Sequence, residues 1–181
     1  MFYFATLGKI LTNPKITTIT MNKNVTTEIK WALIFSVVGL AWMVLENIVG
    51  LHDTYLDYHL YLTNLFAFPA IYMMVAALKE KRTKAYNGTI TYLQGLLSGT
   101  ILSAFIALLS PLTQWITSYV ITPKYFPNVI VRSVELGYFE STAAAQAHFN
   151  YANYATQGML FAFIIGVITT AIAMLFIKNN K

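Results

Sequence analysis

The sequence of residues 31–59, WALIFSVVGLAWMVLENIVGLHDTYLDYH, begins as an apolar run long enough to cross a bilayer. One carboxylate, Glu46, lies inside this run. Four ionisable residues follow it: His52, Asp53, Asp57 and His59. Three further apolar runs come later in the chain, and they can pack against the first. The pattern therefore predicts an all-α membrane protein with four transmembrane helices.

The composition indicates the same class of protein. Of the 181 residues, 57% are hydrophobic and only 10% are charged, whereas soluble domains carry about 25% charged residues. The net charge is +5, but the cations flank the apolar runs, so membrane topology explains them. We therefore expect no nucleic acid as a partner. The chain has 0 cysteines, which excludes disulfides, cysteine nucleophiles and thiolate-bound clusters.

Most of the chain is expected to form one domain. Met21 is a plausible second site for the start of translation. Residues 1–21 are therefore interpreted as an N-terminal extension that could lie outside the native fold. Residues 22–181 then form a single four-helix transmembrane domain. Its spans are predicted at about 30–51, 55–78, 90–110 and 154–177. Pro69 and Pro111 lie in the second and third spans, where we expect kinks.

The stretch 123–153 lies outside the spans. Apolar residues recur at helical spacing from Phe126 to Val134, and Gly137 can end that helix. Ser141 or Thr142 can cap a second short helix. We therefore predict a helical hairpin on the membrane surface between spans three and four.

Lysine and arginine divide unequally between the two sides of the predicted membrane. Only Lys124 and Arg132 fall on the side of the hairpin, and the other cations fall on the opposite side. The positive-inside rule then predicts that both termini are cytoplasmic and that the hairpin is extracytoplasmic.

Small residues recur at four-residue spacing in spans three and four. Lipid provides no hydrophobic drive between helices, so close backbone approach through small residues favours their association. We predict that the two spans pack along these stripes, while the alternative is a homo-oligomer interface. The helix-packing residues are Gly95, Gly99, Ser103, Gly158, Ala162 and Gly166.

Glu46 is the clearest candidate functional residue. A carboxylate in the membrane costs at least about 2.5–3.5 kcal/mol on insertion scales, and such residues often mark ion or proton paths. A structural interpretation is that Glu46 reaches the interface or hydrogen-bonds to Asn47 or Gln114. In the functional alternative, Glu46, Asn64 and Gln114 line an outward-facing pocket.

The ionisable residues after span one are of metal-binding type. A structural interpretation is favoured because residues 54–57 match a capping box, with Asp53 as an alternative N-cap. The chain reversal prevents these residues from sharing one helix with Glu46, although packing could bring them together. We therefore predict neither a metal nor a cofactor. A functional polar cluster, if present, is expected among Glu46, Asp53, Asp57, His59 and Gln114.

No catalytic motif supports an enzyme: the sequence has no Gly-rich phosphate loop, no H-E-x-x-H and no G-x-S-x-G. The leading hypothesis is a non-enzymatic membrane component that acts through lipids or through a protein partner at residues 123–153. The alternative is a component of small-solute, ion or proton transport that uses Glu46.

Three motifs resemble a known family. They are NGTITYLQG (Asn87 to Gly95), TPKYFPNVI followed by SVELGY, and HFNYANY leading into span four. Together they resemble the bacterial four-span membrane proteins named domain of unknown function 4199, over roughly Asn22 to Lys178. The resemblance implies a location in the bacterial inner membrane, and it implies no activity, substrate or site residues.

Overall fold

The computed structural model describes residues 24–179, so the predicted extension 1–21 lies outside the described residues. This part of the chain contains four segments that are long and apolar enough to cross a membrane. The first is helix α1, Thr26–Val49. The second consists of helix α2, Leu56–Leu62, a 3₁₀ turn, Thr63–Phe66, and helix α3, Ala67–Ala85.

The third segment is helix α4, Tyr92–Ile116, which continues as a π-helical turn, Thr117–Ile121. Two short helices follow, α5, Tyr125–Glu135, and α6, Thr142–His148. The last long helix is α7, Tyr151–Ile177. The predicted four-span, all-α fold is thus confirmed, and so are the two short helices between spans three and four.

The two internal prolines have different effects on their helices. Pro69 is the third residue of α3, where a proline is tolerated, and the irregular 3₁₀ turn lies just before this helix. Pro111 lies inside α4, which continues to Ile116. The irregular geometry near Pro69 therefore falls ahead of the proline rather than at it.

Helices α4 and α7 make the closest packing, and small residues are the reason. A β-carbon added at Gly99 would lie 2.2 Å from the Thr170 side chain. One added at Gly166 would lie 2.3 Å from the Ser103 hydroxyl. Both distances are shorter than any normal contact, so these two backbones approach closely only because the glycines have no side chain.

One core cluster joins the first three spans. It consists of Ala32, Met74, Ala77, Leu102 and Ile106. Large apolar side chains on the outer faces remain exposed, as is expected for helices that contact lipid. They include Val37, Ile48, Leu108, Ile172 and Phe176.

Polar contacts join the segments at each of the two ends of the bundle. At the first, Lys81 contacts Glu28, and Arg82 donates to the Ile177 carbonyl at 3.2 Å. We call this the lysine end. At the second, Asn47 of α1 donates to the Ile121 carbonyl at 3.1 Å. We call this the hairpin end because α5 and α6 lie there.

Candidate functional site

The site is created by the chain reversal after α1. Gly50 ends this helix in the left-handed conformation, with φ of 87°, which a glycine adopts without strain. The Leu51 amide then donates to the Glu46 carbonyl at 3.0 Å. This tight turn sends the chain back toward α1, so that His52 faces the last turn of the helix from which it came.

Glu46, His52 and His59 form one cluster. Glu46 Oε2 lies 3.2 Å from His52 Nε2 and 3.4 Å from His59 Nε2. The carboxylate is 2% exposed and the His52 side chain 5%, whereas the His59 side chain is 20% exposed. The three side chains come from α1, the turn and α2, so the cluster joins the first two spans at the hairpin end.

The other carboxylate oxygen is held by a tryptophan. Trp42 lies one helical turn before Glu46, and its indole Nε1 donates to Glu46 Oε1 at 2.5 Å. An indole N–H can only donate, so it favours a carboxylate acceptor here. The bond fixes the carboxylate so that Oε2 faces the two imidazoles.

The hairpin closes the site with an aromatic ring. Tyr125 of α5 lies with its ring centroid 5.4 Å from that of His52 and 5.2 Å from that of His59. Its hydroxyl forms a hydrogen bond with the Tyr154 hydroxyl at 3.3 Å. Burial raises the pKa of Tyr125 above its usual value, so the phenol remains neutral.

Polar contacts attach α5 to the first two spans. Asn128 Nδ2 donates to the His52 carbonyl at 3.0 Å. Arg132 binds Asp57 with two hydrogen bonds, Nε to Oδ1 at 2.8 Å and Nη2 to Oδ2 at 2.6 Å. The pKa of Arg132 is raised by its hydrogen bonds to Asp57 and Glu135, so this guanidinium stays charged.

A groove of about 510 Å³ opens beside the cluster. It lies between α2, α5 and the start of α7, and His59 forms part of its wall. Most of the remaining wall is apolar or aromatic, and includes Leu60, Tyr61, Leu136 and Phe149. The cluster is therefore connected to the surface through His59.

The capping interpretation of the acids after span one was wrong. Helix α2 has Tyr55 as its N-cap and no side-chain cap bond. Asp57 instead pairs with Arg132, and Asp53 accepts a hydrogen bond from the Thr54 amide. Both acids line a second pocket of about 460 Å³, and Asp57 also lines the groove beside His59.

The predicted partners of Glu46 were also wrong. Gln114 donates to Ser118 at 2.9 Å, and it lines a separate cavity of about 190 Å³. Asn47 donates to the Ile121 carbonyl, and Asn64 donates to the Leu60 carbonyl at 2.6 Å. Of the predicted polar cluster, the structure thus brings together Glu46 and His59, and it adds His52.

A second buried cluster, at the lysine end, was missed by sequence reasoning. Glu28 and Lys81 are each 2% exposed, and Lys81 Nζ lies 2.9 Å from Glu28 Oε1. Ser98 Oγ donates to the same oxygen at 2.6 Å, and Lys81 also donates to the Asn24 carbonyl. The partners lie far apart in the chain, so no local pattern indicates this cluster.

Four long apolar helices around two buried polar clusters define an integral membrane protein with several spans. The chain belongs to the family described as "Protein of unknown function (DUF4199)", whose model matches residues 30–179. This match confirms the predicted family. No curated protein and no solved structure is significantly similar to the chain.

Proposed function

We propose that the protein is a non-enzymatic membrane component that binds a lipid acyl chain in the groove under the hairpin. The observation that carries this proposal is the position of the groove, between α2 of the second span and α5. We expect bilayer lipid to enter it from the side. Its volume of about 510 Å³ falls in the range of about 300–1,000 Å³ typical of small-molecule sites.

The groove has the chemistry of an interfacial lipid site. Apolar and aromatic side chains form its wall, which includes two exposed tyrosines, Tyr61 and Tyr138. Tyrosine is favoured at the membrane–water interface because its ring is apolar and its hydroxyl polar. An acyl chain would lie along the wall, and the headgroup would remain at the polar rim.

The charges at the rim favour a zwitterionic lipid over an anionic one. Arg132 is the cation at the rim, and it is already paired with Asp57 and Glu135. Two carboxylates around one guanidinium leave the rim with a net negative charge, which repels an anionic headgroup. A phosphatidylcholine or phosphatidylethanolamine headgroup would not meet this repulsion.

The proposed orientation places the groove on the extracytoplasmic side of the bacterial inner membrane, with both termini cytoplasmic. Lys30, Lys81, Arg82 and Lys84 lie at the lysine end, where Lys30 and Lys84 contact Glu80. This excess of cations supports a cytoplasmic lysine end under the positive-inside rule.

Photo-crosslinking in proteoliposomes tests the lipid proposal. A phosphatidylcholine with a diazirine in its acyl chain should label peptides of α2 and α5. Val129→Trp should reduce this labelling because Val129 lines the groove. Val131→Trp, two residues away on the same helix and outside the groove, is the matched control. Equal labelling of both variants and the wild type would refute the proposal.

Transport through Glu46 and binding of a protein partner at residues 123–153 remain predictions. Flux of protons or ions into liposomes checks the first, because Glu46→Gln should abolish a flux that uses the carboxylate. Copurification checks the second: deleting the hairpin should remove a partner that binds there.

A further inference from the structure

We infer that Glu46, His52 and His59 form a zinc-binding site at the hairpin end of the bundle. The three side chains offer one carboxylate oxygen and two imidazole nitrogens, all within 4.8 Å of one another. Two histidines and one glutamate are a ligand set found in zinc sites that keep a fourth position open. The site would exist whether or not the groove binds lipid.

Two of the three distances between ligand atoms are close to those that zinc requires. Zinc binds histidine nitrogen and carboxylate oxygen at about 2.0–2.1 Å, usually with tetrahedral geometry. Two ligand atoms on one tetrahedral edge are then about 3.3–3.4 Å apart. In the structure, Glu46 Oε2 lies 3.2 Å from His52 Nε2 and 3.4 Å from His59 Nε2. A zinc ion therefore needs little movement along these edges.

The surroundings prepare Glu46 to be a ligand. The Trp42 indole occupies Oε1 at 2.5 Å, which leaves Oε2 directed at both imidazoles. Outer hydrogen bonds of this kind orient the ligands in metal sites, and their loss weakens metal binding. Trp42 is thus a positioning residue, because it would act on zinc through the carboxylate.

The histidine rings can adopt the tautomer that ligation requires. Without a metal ion, an Nε2 that donates to the Glu46 carboxylate carries a proton. Zinc needs these nitrogens without protons, so the proton of each ring must move to Nδ1. His52 Nδ1 is buried and has no hydrogen-bond partner within residues 24–179. No outer hydrogen bond therefore holds His52 in the tautomer that would exclude zinc.

The charge of the cluster also favours a cation. The side-chain partners of Glu46 are imidazoles, an indole and a hydroxyl rather than a lysine or an arginine, and burying a carboxylate without a cation is costly. A zinc ion would place a positive charge directly against the carboxylate and bind both imidazole nitrogens as ligands. Two imidazoles in the set favour zinc over magnesium or calcium, which prefer oxygen ligands. His59, which lines the groove, provides the route by which the ion and a fourth ligand enter.

Zinc titration of the full chain tests the inference. The protein is purified without a polyhistidine tag, reconstituted in nanodiscs, stripped with a chelator and titrated with zinc chloride by calorimetry. We expect one zinc ion per chain. His52→Gln and His59→Gln should each weaken binding by more than the roughly 10–100-fold loss that outer-sphere substitutions cause.

The chain provides its own matched controls. His148, the third histidine, lies against Phe139 and Phe149 and outside the cluster, so His148→Gln should leave zinc affinity unchanged. Trp42→Phe should weaken zinc binding by about 10–100-fold, while Trp115→Phe should not change it. Binding that survives both His52→Gln and His59→Gln, or that depends on His148, would overturn the site.

X-ray absorption of the zinc-loaded wild-type protein keeps the inference falsifiable if a variant fails to fold. The expected spectrum has nitrogen and oxygen neighbours at about 2.0–2.1 Å with the scattering pattern of two imidazoles. A first shell without imidazole, or no zinc bound to the folded wild-type protein, would overturn the inference.

Discussion

Helix α1 carries one buried carboxylate at each end, and the two are balanced in different ways. Glu28, at the lysine end, lies 2.9 Å from the Lys81 ammonium and accepts a hydrogen bond from Ser98. Glu46, at the hairpin end, has two histidines, the Trp42 indole and the Thr63 side chain as its partners. Both carboxylates are 2% exposed, so burial alone does not distinguish them.

The Glu28–Lys81 ion pair therefore has a structural role, whereas the Glu46 cluster can exchange one cation for another. Lys81 is part of the chain and provides a positive charge to Glu28, so this ion pair needs no ion from solution. Histidine supplies a charge only when it is protonated, and otherwise it offers a metal a free nitrogen. At the lysine end the cation is always the Lys81 ammonium. At the hairpin end the cation beside Glu46 depends on the pH and on the metal ions in solution.

The same substitution at both ends should have very different effects on stability, and the larger effect is at Glu28. Glu28→Gln leaves the Lys81 ammonium buried without a counter-charge, which costs about 3–5 kcal/mol of unfolding free energy. Unfolding of the reconstituted protein with increasing denaturing detergent measures this loss. Adding Lys81→Met should restore much of the stability because it removes the stranded charge. A double variant as unstable as the single one would contradict this account.

The α4–α7 packing between the two ends should give the next largest effect. Gly99→Ala places a β-carbon 2.2 Å from Thr170, so one helix must shift, and overpacking of this kind costs about 1–3 kcal/mol. Gly39→Ala is the matched control, because its β-carbon would meet only Phe66 at 3.8 Å. The same unfolding measurement compares them, and equal effects of the two substitutions would contradict the close approach.

The sequence predicted the spans because bilayer thickness translates directly into the length of an apolar run. It identified Glu46 for the same reason, since a carboxylate interrupts such a run. It could not place Arg132 against Asp57, or Lys81 against Glu28, because those residues lie 75 and 53 positions apart. Contacts at that separation depend on how the helices pack, which hydropathy and capping patterns do not encode.

Glu46→Gln, without zinc, should change stability much less than Glu28→Gln. The amide keeps a carbonyl oxygen for the Trp42 indole and leaves no fixed positive charge unpaired. The expected loss is about 0.5–1.5 kcal/mol, the value of one ordinary hydrogen bond. Unfolding in the presence of a chelator measures it. A loss as large as that of Glu28→Gln would show that the histidines carry a fixed charge.

Zinc should stabilise the Glu28→Gln variant but not the Glu46→Gln variant. At a free zinc concentration 100 times the dissociation constant, binding adds about 2.7 kcal/mol to the stability of the folded state. The wild-type protein and the Glu28→Gln variant should gain this amount over the chelated samples, and Glu46→Gln should gain little. An equal gain for both variants would place zinc elsewhere in the chain.

The smallest effect should come from the exposed ion pair that attaches the hairpin. Arg132→Gln removes the two hydrogen bonds to Asp57, but both side chains are substantially exposed, and water replaces the lost partners. Global unfolding should therefore change little. Hydrogen exchange of the α5 amides should become faster by a few-fold, because local opening of α5 no longer breaks this pair.

Lys124→Gln is the matched control for Arg132→Gln. Lys124 is the N-cap residue of α5, and its loss removes the same charge from the same region without breaking the contact to Asp57. Faster exchange in both variants would mean that net charge, not the contact, holds the hairpin. Faster exchange in Arg132→Gln alone would show that the contact to Asp57 limits local opening of α5 next to His59. At the lysine end, the buried Glu28–Lys81 ion pair has no such exposed contact. An ion or lipid could then enter at one end of the bundle without unfolding the other.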